Sequence, residues 1–388
     1  MEFSFTQEQQ MIRDTAASFL AEVSDSDAVR RAMATEAGYD DALWSRITGE
    51  MYWHAVHIPE DFGGLGLGYV ELVAMLEEMG KHLTCSPFYS TVCLGVNALR
   101  VAATDEQQEK YLSQIAADGI TATLAWTGVA GGWDASAIDT IYTLTDDGAV
   151  LDGRLRYVTD GHTADLLVIA ARENGSSGEA GIGLFIVPAN AVGVTRAWLP
   201  TMDQTRKQAE IDLSGVRVDA SDVMRDAGNA WPLLSQALDL ARIAIAADQM
   251  GGANQVLDVT VDYVKERKQF GRPVGGFQAM KHKAADMMLK AEAARSAVYY
   301  AACVADESLS GRATSETLAE AASIAKAYCS DAYFYNAGCA LQMHGGIGFT
   351  WEHDVHLYFK RAKSTQQFLG DAAFHRERLS RQILGDTI

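Results

Sequence analysis

The stretch IYTLTDDGAVLDG at residues 141–153 contains two short β-prone runs on either side of Asp147-Gly148. An Asp-Gly pair between such runs is a strong local signal for a β-hairpin, because both residues tolerate the backbone angles of a tight turn. GSSGEAG at 175–181 is typical of a loop. Further β-prone runs lie at 121–126, 166–171, 183–187 and 209–213. Together these patterns predict a small β domain over residues 121–228.

Helical patterns flank this β domain on both sides. In residues 1–120, Thr6 and Gln9 have the spacing of a capping box at the start of a helix. Apolar residues then recur at helical spacing. Residues 229–388 have long apolar helical faces, which predict a bundle of three or four long helices and a subunit interface. The order of helices, strands and helices predicts an α+β fold that is mainly α, because a Rossmann fold would alternate strands and helices.

Composition limits the class of protein. A length of 388 residues predicts two or three domains, and a net charge of −19 disfavours binding to nucleic acid or anionic lipid. No apolar run reaches the roughly 20 residues of a membrane helix, and MEFSFTQEQQ lacks the pattern of a secretory signal. The five cysteines include no CxxC, which fits reduced thiols in a cytoplasmic protein.

Histidine pairs are the only metal-like pattern. His54 with His57 and His353 with His356 have a spacing of three residues, which can bind a metal ion on a helix. No third ligand follows in pattern, so we expect surface or buffering histidines and no metal site. P-loop and GxSxG motifs are absent, and no GxGxxG follows a strand.

Five strings, in order and nearly end to end, resemble the acyl-CoA dehydrogenase family. They are FSFTQEQQMIRDTAASFL at 3–20, HIPEDFGGLGLGYVELVAMLEEMGK at 57–81, GRLRYVTDG at 153–161, ERKQFGRPVGGFQAMKHKAADM at 266–287 and QMHGGIGF at 342–349. The resemblance implies an N-terminal helical domain (1–120), a middle β-barrel-like domain (121–228) and a C-terminal four-helix bundle (229–388) that binds FAD and forms the oligomer interface. It also implies a flavoprotein, usually a tetramer, in which a carboxylate removes the α proton of an acyl-CoA while hydride passes from Cβ to FAD.

In this family each FAD spans two subunits, so its two halves can be considered separately. A guanidinium suits the pyrophosphate, and glycines let the backbone approach the cofactor. For the ADP part, the resemblance implies Arg267, Gln269, Phe270, Gln278, Gln342, Gly345 and Gly346. For the flavin ring, it implies Thr127, Tyr157 and Thr159.

The sequence departs from the family near the flavin ring. The family's TEPGAGSD loop continues after Thr127 as GVAGGWD at 128–134, so Trp133 replaces a small hydroxyl residue. Asp371 also replaces a hydroxyl residue that the family has near the flavin. Trp133 either occupies the space of flavin or pantetheine, which we favour, or points outward.

The expected catalytic carboxylate is missing. The usual Glu position falls on Leu369, and the Glu position of a minority of members falls on Ala241. Neither side chain can accept a proton, so we expect no catalytic residue in this chain's own site. Asp371 and His344 remain as candidates for a substitute base, although two residues on a helix separate Asp371 from 369 by about 200°. The resemblance further implies substrate contacts for Asp239 and Arg242, or a helix contact for Asp239.

Four interpretations stay open. We favour the subunit that lacks the base in a heteromeric acyl-CoA dehydrogenase, similar to bacterial members that shorten steroid side chains. Such a heterotetramer contains two FAD, binds acyl-CoA through a Glu-bearing homologous subunit, and passes electrons to an electron-transfer flavoprotein. The alternatives are a homomeric flavoprotein with a desulfinase-like elimination, a dehydrogenase with a relocated base such as Asp371, and a structural or acyl-CoA-binding protein without flavin.

Overall fold

The protein, a computed structural model, is described for residues 6–385. Its backbone forms two compact units. Unit 1 combines the described residues up to 31 with 69–84 and those from 242 onward, and unit 2 combines 32–68 with 85–241. The α+β, mainly helical fold class is confirmed, whereas the division into three domains stays a prediction.

Helices dominate the described residues, and the start of the first helix was predicted from its capping box. Thr6 Oγ1 accepts a hydrogen bond from Gln9 N at 3.2 Å, and Gln9 Oε1 accepts one from Thr6 N at 3.1 Å. The helices are α1 (Gln7–Val23), α2 (Ser26–Ala34), α3 (Asp41–Gly49), α4 (Tyr69–Lys81), α5 (Asn97–Ala102), α6 (Asp105–Asp118), α7 (Trp231–Glu266), α8 (Gln278–Leu309), α9 (Ser315–His344), α10 (Val355–Gln367) and α11 (Ala372–Leu384).

Unit 1 is helical apart from one short hairpin, β8 (Lys268–Gln269) with β9 (Arg272–Pro273). Within it α8 packs against α9 and α4, and α9 also packs against α10 and α11. Arg361 and Asp248, each 1% exposed, form a buried ion pair at 3.1 Å between α10 and α7. Removing one member would leave a buried charge without its partner, so this pair fixes how the two helices meet.

Unit 2 contains a seven-stranded sheet. The strand order is β1-β4-β2-β3-β7-β6, and β5 pairs with β4. The predicted hairpin is confirmed: β2 and β3 are antiparallel, and the Asp146-Asp147 loop lies immediately before Gly148. The strands are β1 (Ala122–Ala125), β2 (Ile141–Thr145), β3 (Gly148–Thr159), β4 (Leu166–Glu173), β5 (Ile182–Pro188), β6 (Val194–Leu199) and β7 (Gln208–Asp219).

The helical segment after Pro87 departs from α-helical geometry. Residues Tyr89–Val96 form a buried π-helix that lies against β1. A Cβ at Gly95 would be 2.6 Å from Ala122 Cβ, and Ala122 N donates to Thr91 Oγ1 at 3.1 Å. The close approach to the strand therefore depends on Gly95, and π-helical turns of this kind are frequent near functional sites.

The expectation of surface histidines is wrong for His54, His57 and His356, which are buried. His54 Nε2 lies 3.1 Å from Ala116 O, and His57 Nε2 lies 3.0 Å from Asn97 Oδ1. Burial lowers the pKa of His57 to about 3, so its imidazole is neutral at physiological pH.

Among the described residues, no helix combines the length and apolarity needed to cross a bilayer.

Candidate functional site

The residues expected to contact the flavin ring lie in unit 2, and we call Thr127, Tyr157 and Thr159 the ring half-site. Thr127 lies two residues after the end of β1 and is tied to β3 by two hydrogen bonds. Arg156 N donates to Thr127 O at 2.9 Å, and Thr127 Oγ1 donates to Arg156 O at 2.7 Å. The Thr127 hydroxyl therefore already donates its hydrogen bond within the chain.

Tyr157 is the one aromatic member of the ring half-site, and it is displayed on the surface of unit 2. The register between β3 and β7 shifts between Arg156 and Val158, and Tyr157 has a left-handed φ of 58°. A bulge of this kind turns a side chain out of the strand's alternation, and the Tyr157 side chain is 46% exposed. The ring is therefore partly exposed, and the guanidinium carbon of Arg156 lies over it at 5.4 Å from the ring centroid.

The hydroxyl of Thr159 is hydrogen-bonded to a residue that sequence reasoning did not identify. Gln208, opposite Thr159 in the β3–β7 pairing, donates from Nε2 to Thr159 Oγ1 at 3.2 Å. Thr123 Oγ1 donates to Thr159 O at 2.7 Å. With Thr159 only 1% exposed, its hydroxyl is buried and already hydrogen-bonded. Only the strand register brings Gln208 to this position, so no local motif could have indicated it.

Trp133 lies against another tryptophan. Its ring centroid is 6.2 Å from that of Trp126, with 50° between the ring planes. The loop between them folds back closely, because Gly128 N donates to Ala137 O at 2.8 Å and a Cβ at Gly128 would collide with the Asp139 carboxylate. This loop therefore holds a bulky aromatic pair beside Thr127, and its occlusion of a cofactor stays a prediction.

The residues expected to contact ADP lie in unit 1, and we call them the nucleotide half-site. Arg267 follows the end of α7, Phe270 lies at the turn of the β8–β9 hairpin with φ 53°, and Gly345 ends α9 with φ 65°. All seven members are exposed: Arg267, Gln269, Phe270, Gln278, Gln342, Gly345 and Gly346.

This half-site has the chemistry that a diphosphate requires. A Cβ at Gly345 or Gly346 would meet no atom within 4 Å, so the backbone at these positions is uncovered. The Arg267 guanidinium forms no ion pair with any residue of 6–385. An unpaired guanidinium binds phosphate oxygens, and glycines without a side chain let a phosphate approach the backbone. The residues present therefore fit the ADP part of FAD.

Leu369, at the usual Glu position, is fully buried and lies on a turn anchored by three donors. Arg242 Nε and His375 Nε2 donate to Leu369 O at 3.2 and 3.0 Å, and Lys326 Nζ donates to Gly370 O at 2.8 Å. Leu369 has a left-handed φ of 60°. Sequence reasoning assigned Arg242 to substrate and missed Lys326 and His375, which no local motif indicates.

Burial sets the charge of these anchors. Burial, with Arg242 nearby, lowers the pKa of Lys326 to about 7 and that of His375 to about 2. His375 is therefore neutral and carries its proton on Nε2, because a carbonyl oxygen can only accept. The turn therefore carries a buried alkyl side chain at 369, basic groups hold its backbone carbonyls, and no carboxylate replaces the missing one at this position.

The other candidates for a base have structural contacts. Asp371 is the N-cap of α11, and its Oδ1 accepts from Phe374 N at 2.9 Å. Ala241 is fully buried, and its carbonyl accepts from Tyr89 OH at 2.8 Å within unit 2. Asp239 and Arg242 are each 2% exposed, and their contact with substrate stays a prediction.

Comparisons with known proteins agree with this fold. Residues 6–118 match the family Acyl-CoA dehydrogenase, N-terminal domain, and residues 228–384 match Acyl-CoA dehydrogenase, C-terminal domain. The chain is 31% identical over 378 residues to the acyl-CoA dehydrogenase IpdE2 of Mycolicibacterium smegmatis, covering 97% of this chain and 99% of that protein.

Solved structures of similar proteins cover the whole chain. The ChsE4-ChsE5 complex from Mycobacterium tuberculosis gives a TM-score of 0.88 at 25% identity, covering 100% of both chains. A variant of the Tcur3481-Tcur3483 steroid ACAD gives 0.85 at 29% identity, covering 97% of this chain and 98% of that one. The fold is thus that of flavoprotein oxidoreductases that combine helical domains with a β domain. The chain belongs to the acyl-CoA dehydrogenase family, whose members act on CH–CH bonds, and this membership implies FAD as the cofactor.

Proposed function

We propose that this chain is the subunit without a catalytic base in a heteromeric, FAD-dependent acyl-CoA dehydrogenase. The observation that carries the proposal is the buried Leu369, held on an anchored turn at the position of the family's Glu. A general base contributes about 10²–10⁴-fold to rate, so a site without one is badly impaired. A homologous subunit with the Glu would desaturate the acyl-CoA between Cα and Cβ.

The unequal half-sites support the same assignment. In the nucleotide half-site, Arg267 is free to pair with a pyrophosphate, and Gly345 and Gly346 leave their backbone uncovered. In the ring half-site, the hydroxyl of Thr159 is bonded to Gln208 and that of Thr127 to Arg156 O. Such a chain can hold the ADP part of a cofactor whose ring lies in a partner subunit. Bound FAD supplies the hydride acceptor, and electron-transfer flavoprotein is the expected acceptor of its electrons.

Similar proteins support a heteromer and indicate a substrate class. The ChsE4-ChsE5 complex and the Tcur3481-Tcur3483 protein each combine two differently named chains, and the second is described as a steroid ACAD. We therefore propose a bulky, steroid-derived acyl-CoA as the substrate of the assembly. The assembly would be an α₂β₂ heterotetramer with two FAD.

The alternative functions fit less well. A relocated base at Asp371 would have to leave its helix-capping hydrogen bond with Phe374 N. A homomeric desulfinase-like enzyme would need an intact ring half-site, and the Thr159–Gln208 hydrogen bond opposes that. Neither of these two alternatives explains why all seven residues of the nucleotide half-site are exposed while the hydroxyls of Thr127 and Thr159 are already hydrogen-bonded.

Purification of the chain alone, and together with a Glu-bearing homologue, tests the proposal. We expect little FAD in the single chain. We expect one FAD per pair of unlike chains and acyl-CoA-dependent dye reduction only in the co-purified assembly. Replacing the Glu of the homologue with Gln is the matched control, and it should abolish dye reduction while FAD stays bound. A full complement of FAD in the homomer would contradict the proposal.

A further inference from the structure

Three aromatic rings meet next to the nucleotide half-site. Tyr263, in the last turn of α7, stacks on His344 at the end of α9, with ring centroids 4.3 Å apart and 20° between planes. His353 lies 4.6 Å from His344 and 6.3 Å from Tyr263. Tyr263 OH also donates to His344 O at 3.2 Å. We call these three residues the aromatic stack.

The aromatic stack joins the two parts of the nucleotide half-site. Arg267 lies one helical turn beyond Tyr263, and its N–H donates to Tyr263 O at 2.9 Å. Gly345 and Gly346 directly follow His344 in the sequence. A guanidinium and a glycine turn that bind one pyrophosphate must keep a fixed separation, and the stack is the packing that sets it.

The His344 ring is poorly placed to accept a proton. Its Nδ1 lies 2.8 Å from Ala340 O, which only accepts, so the hydrogen is on Nδ1 and Nε2 has a free lone pair. Nε2 is buried and has no hydrogen-bond partner among residues 6–385. A proton added there would have no acceptor, and it would create an imidazolium 4.6 Å from a second imidazole. Such a buried, unpaired charge opposes the closed stack.

The groups around the stack do not compensate such a charge. The hydroxyl of Tyr263 from α7 already donates to His344 O, and Ala340 from α9 offers only its carbonyl. Next to His353, the Asp354 carboxylate is already paired with Arg30 of α2 at 2.5 Å. Burial lowers the pKa of His344, with His353 adding to the effect, and burial also lowers the pKa of His353.

We propose that Tyr263, His344 and His353 are positioning residues for the nucleotide half-site, and that protonation of His344 opens the stack and releases the nucleotide. This inference rests on the proposed role of Arg267 and the glycine turn in FAD binding. Because the folded chain disfavours the protonated form, the stack is fully stable above the ordinary imidazole pKa of about 6.5. Its stability falls as pH drops below that value.

The test measures FAD release from the co-purified assembly at about pH 8 and about pH 5.5, from the fluorescence of free FAD. We expect about tenfold faster release at the lower pH in the unmodified chain, which corresponds to about one pKa unit of coupling. His344→Phe keeps a ring in the stack without a titrating group, so it should remove the acid dependence. His344→Ala removes the ring, so it should release FAD quickly at both pH values.

A half-buried histidine of unit 2, His162, provides the matched control, because burial also lowers its pKa. His162→Phe should leave the acid dependence of FAD release unchanged. If His344→Phe instead keeps the acid dependence of the unmodified chain, the proposal is wrong.

Hydrogen exchange of the amides of residues 345–349, corrected for intrinsic exchange rates, separates this inference from the proposed function. We expect their protection to fall at low pH in the unmodified chain and to persist in His344→Phe. Exchange that follows this pattern while FAD release does not would overturn the role of the stack in nucleotide binding. If Arg267→Ala also leaves FAD content unchanged, the assignment of the nucleotide half-site fails as well.

Discussion

Among single residues, Leu369 stands out because it is buried in a left-handed backbone conformation. A non-glycine residue at φ 60° is disfavoured by about 1–2 kcal/mol, and such a conformation persists only when its surroundings hold it. Here three donors, Arg242, His375 and Lys326, hold the carbonyls of Leu369 and Gly370. The turn is therefore maintained independently of the side chain at 369.

Leu369→Glu tests whether the base is all that the chain's own site lacks. The hydroxyls of Thr159 and Thr127 in the ring half-site are already hydrogen-bonded to Gln208 and to Arg156 O. We therefore expect the homomeric variant to show no acyl-CoA-dependent dye reduction. Leu369→Gln is the matched control for the added polar volume. If the flavin site were intact, restoring the base would raise the rate about 10²–10⁴-fold over the Gln variant. A gain of that size would overturn the partner-subunit assignment.

The contact of α4 with α7 shows what decides packing at the scale of elements. A Cβ at Gly251 of α7 would lie 1.9 Å from Glu77 O, and one at Gly80 of α4 would lie 2.1 Å from Asp248 O. The two backbones therefore touch at both positions. The contact also orients Glu77, which accepts from Tyr299 OH at 2.6 Å and pairs with Arg295 at 3.0 Å on α8. Gly80 and Gly251 thus allow α4 and α7 to pack closely, and Glu77 connects this contact to α8.

Gly251→Ala should therefore destabilise the protein although alanine favours helices. We expect a loss of about 1–3 kcal/mol in the free energy of unfolding, because the added methyl group must displace backbone. Gly338→Ala is the matched control on α9 of the same unit, where a Cβ would meet no atom within 4 Å. There we expect a gain of up to about 1 kcal/mol. Urea denaturation measures both, and equal effects would contradict this account.

The two half-sites lie in different compact units at the scale of the whole molecule. The nucleotide half-site of unit 1 is exposed, whereas Thr159 of the ring half-site in unit 2 is buried and hydrogen-bonded. This difference would be unexpected in a homomer, where both half-sites of every chain must bind FAD. It is expected of a chain that serves a partner's cofactor.

Variants of the two half-sites in the co-purified assembly test this asymmetry. Arg267→Ala should weaken FAD binding by about tenfold or more, because it removes a charge-assisted contact with the pyrophosphate. Tyr157→Ala should leave FAD content unchanged, because no flavin ring would lie against this chain. Bound FAD is measured by absorbance after gel filtration. Loss of FAD from the Tyr157 variant would instead favour a functional ring half-site in this chain.

The elements that local patterns predict were found where expected. The capping box at Thr6, the β2–β3 hairpin and the long C-terminal helices follow from spacing within a few residues. Strand β6 was missed, and so was the parallel pairing of β1 with β4. Strand pairing depends on segments far apart in the chain, and a lone strand with mixed polarity has no distinct local pattern.

The sequence by itself determined the family, the order of helices and strands, the intact arginine and glycines of the nucleotide half-site, and the absence of a carboxylate at 369 and 241. Only the tertiary structure decided how these groups are used. It brought Gln208 to Thr159 across 49 residues, and His344 to Tyr263 across 81. A buried polar group must find a hydrogen-bond partner, and which partner it finds depends on the segments that folding brings together. Residue identity therefore limits the chemistry, whereas long-range packing decides which groups remain available for a ligand.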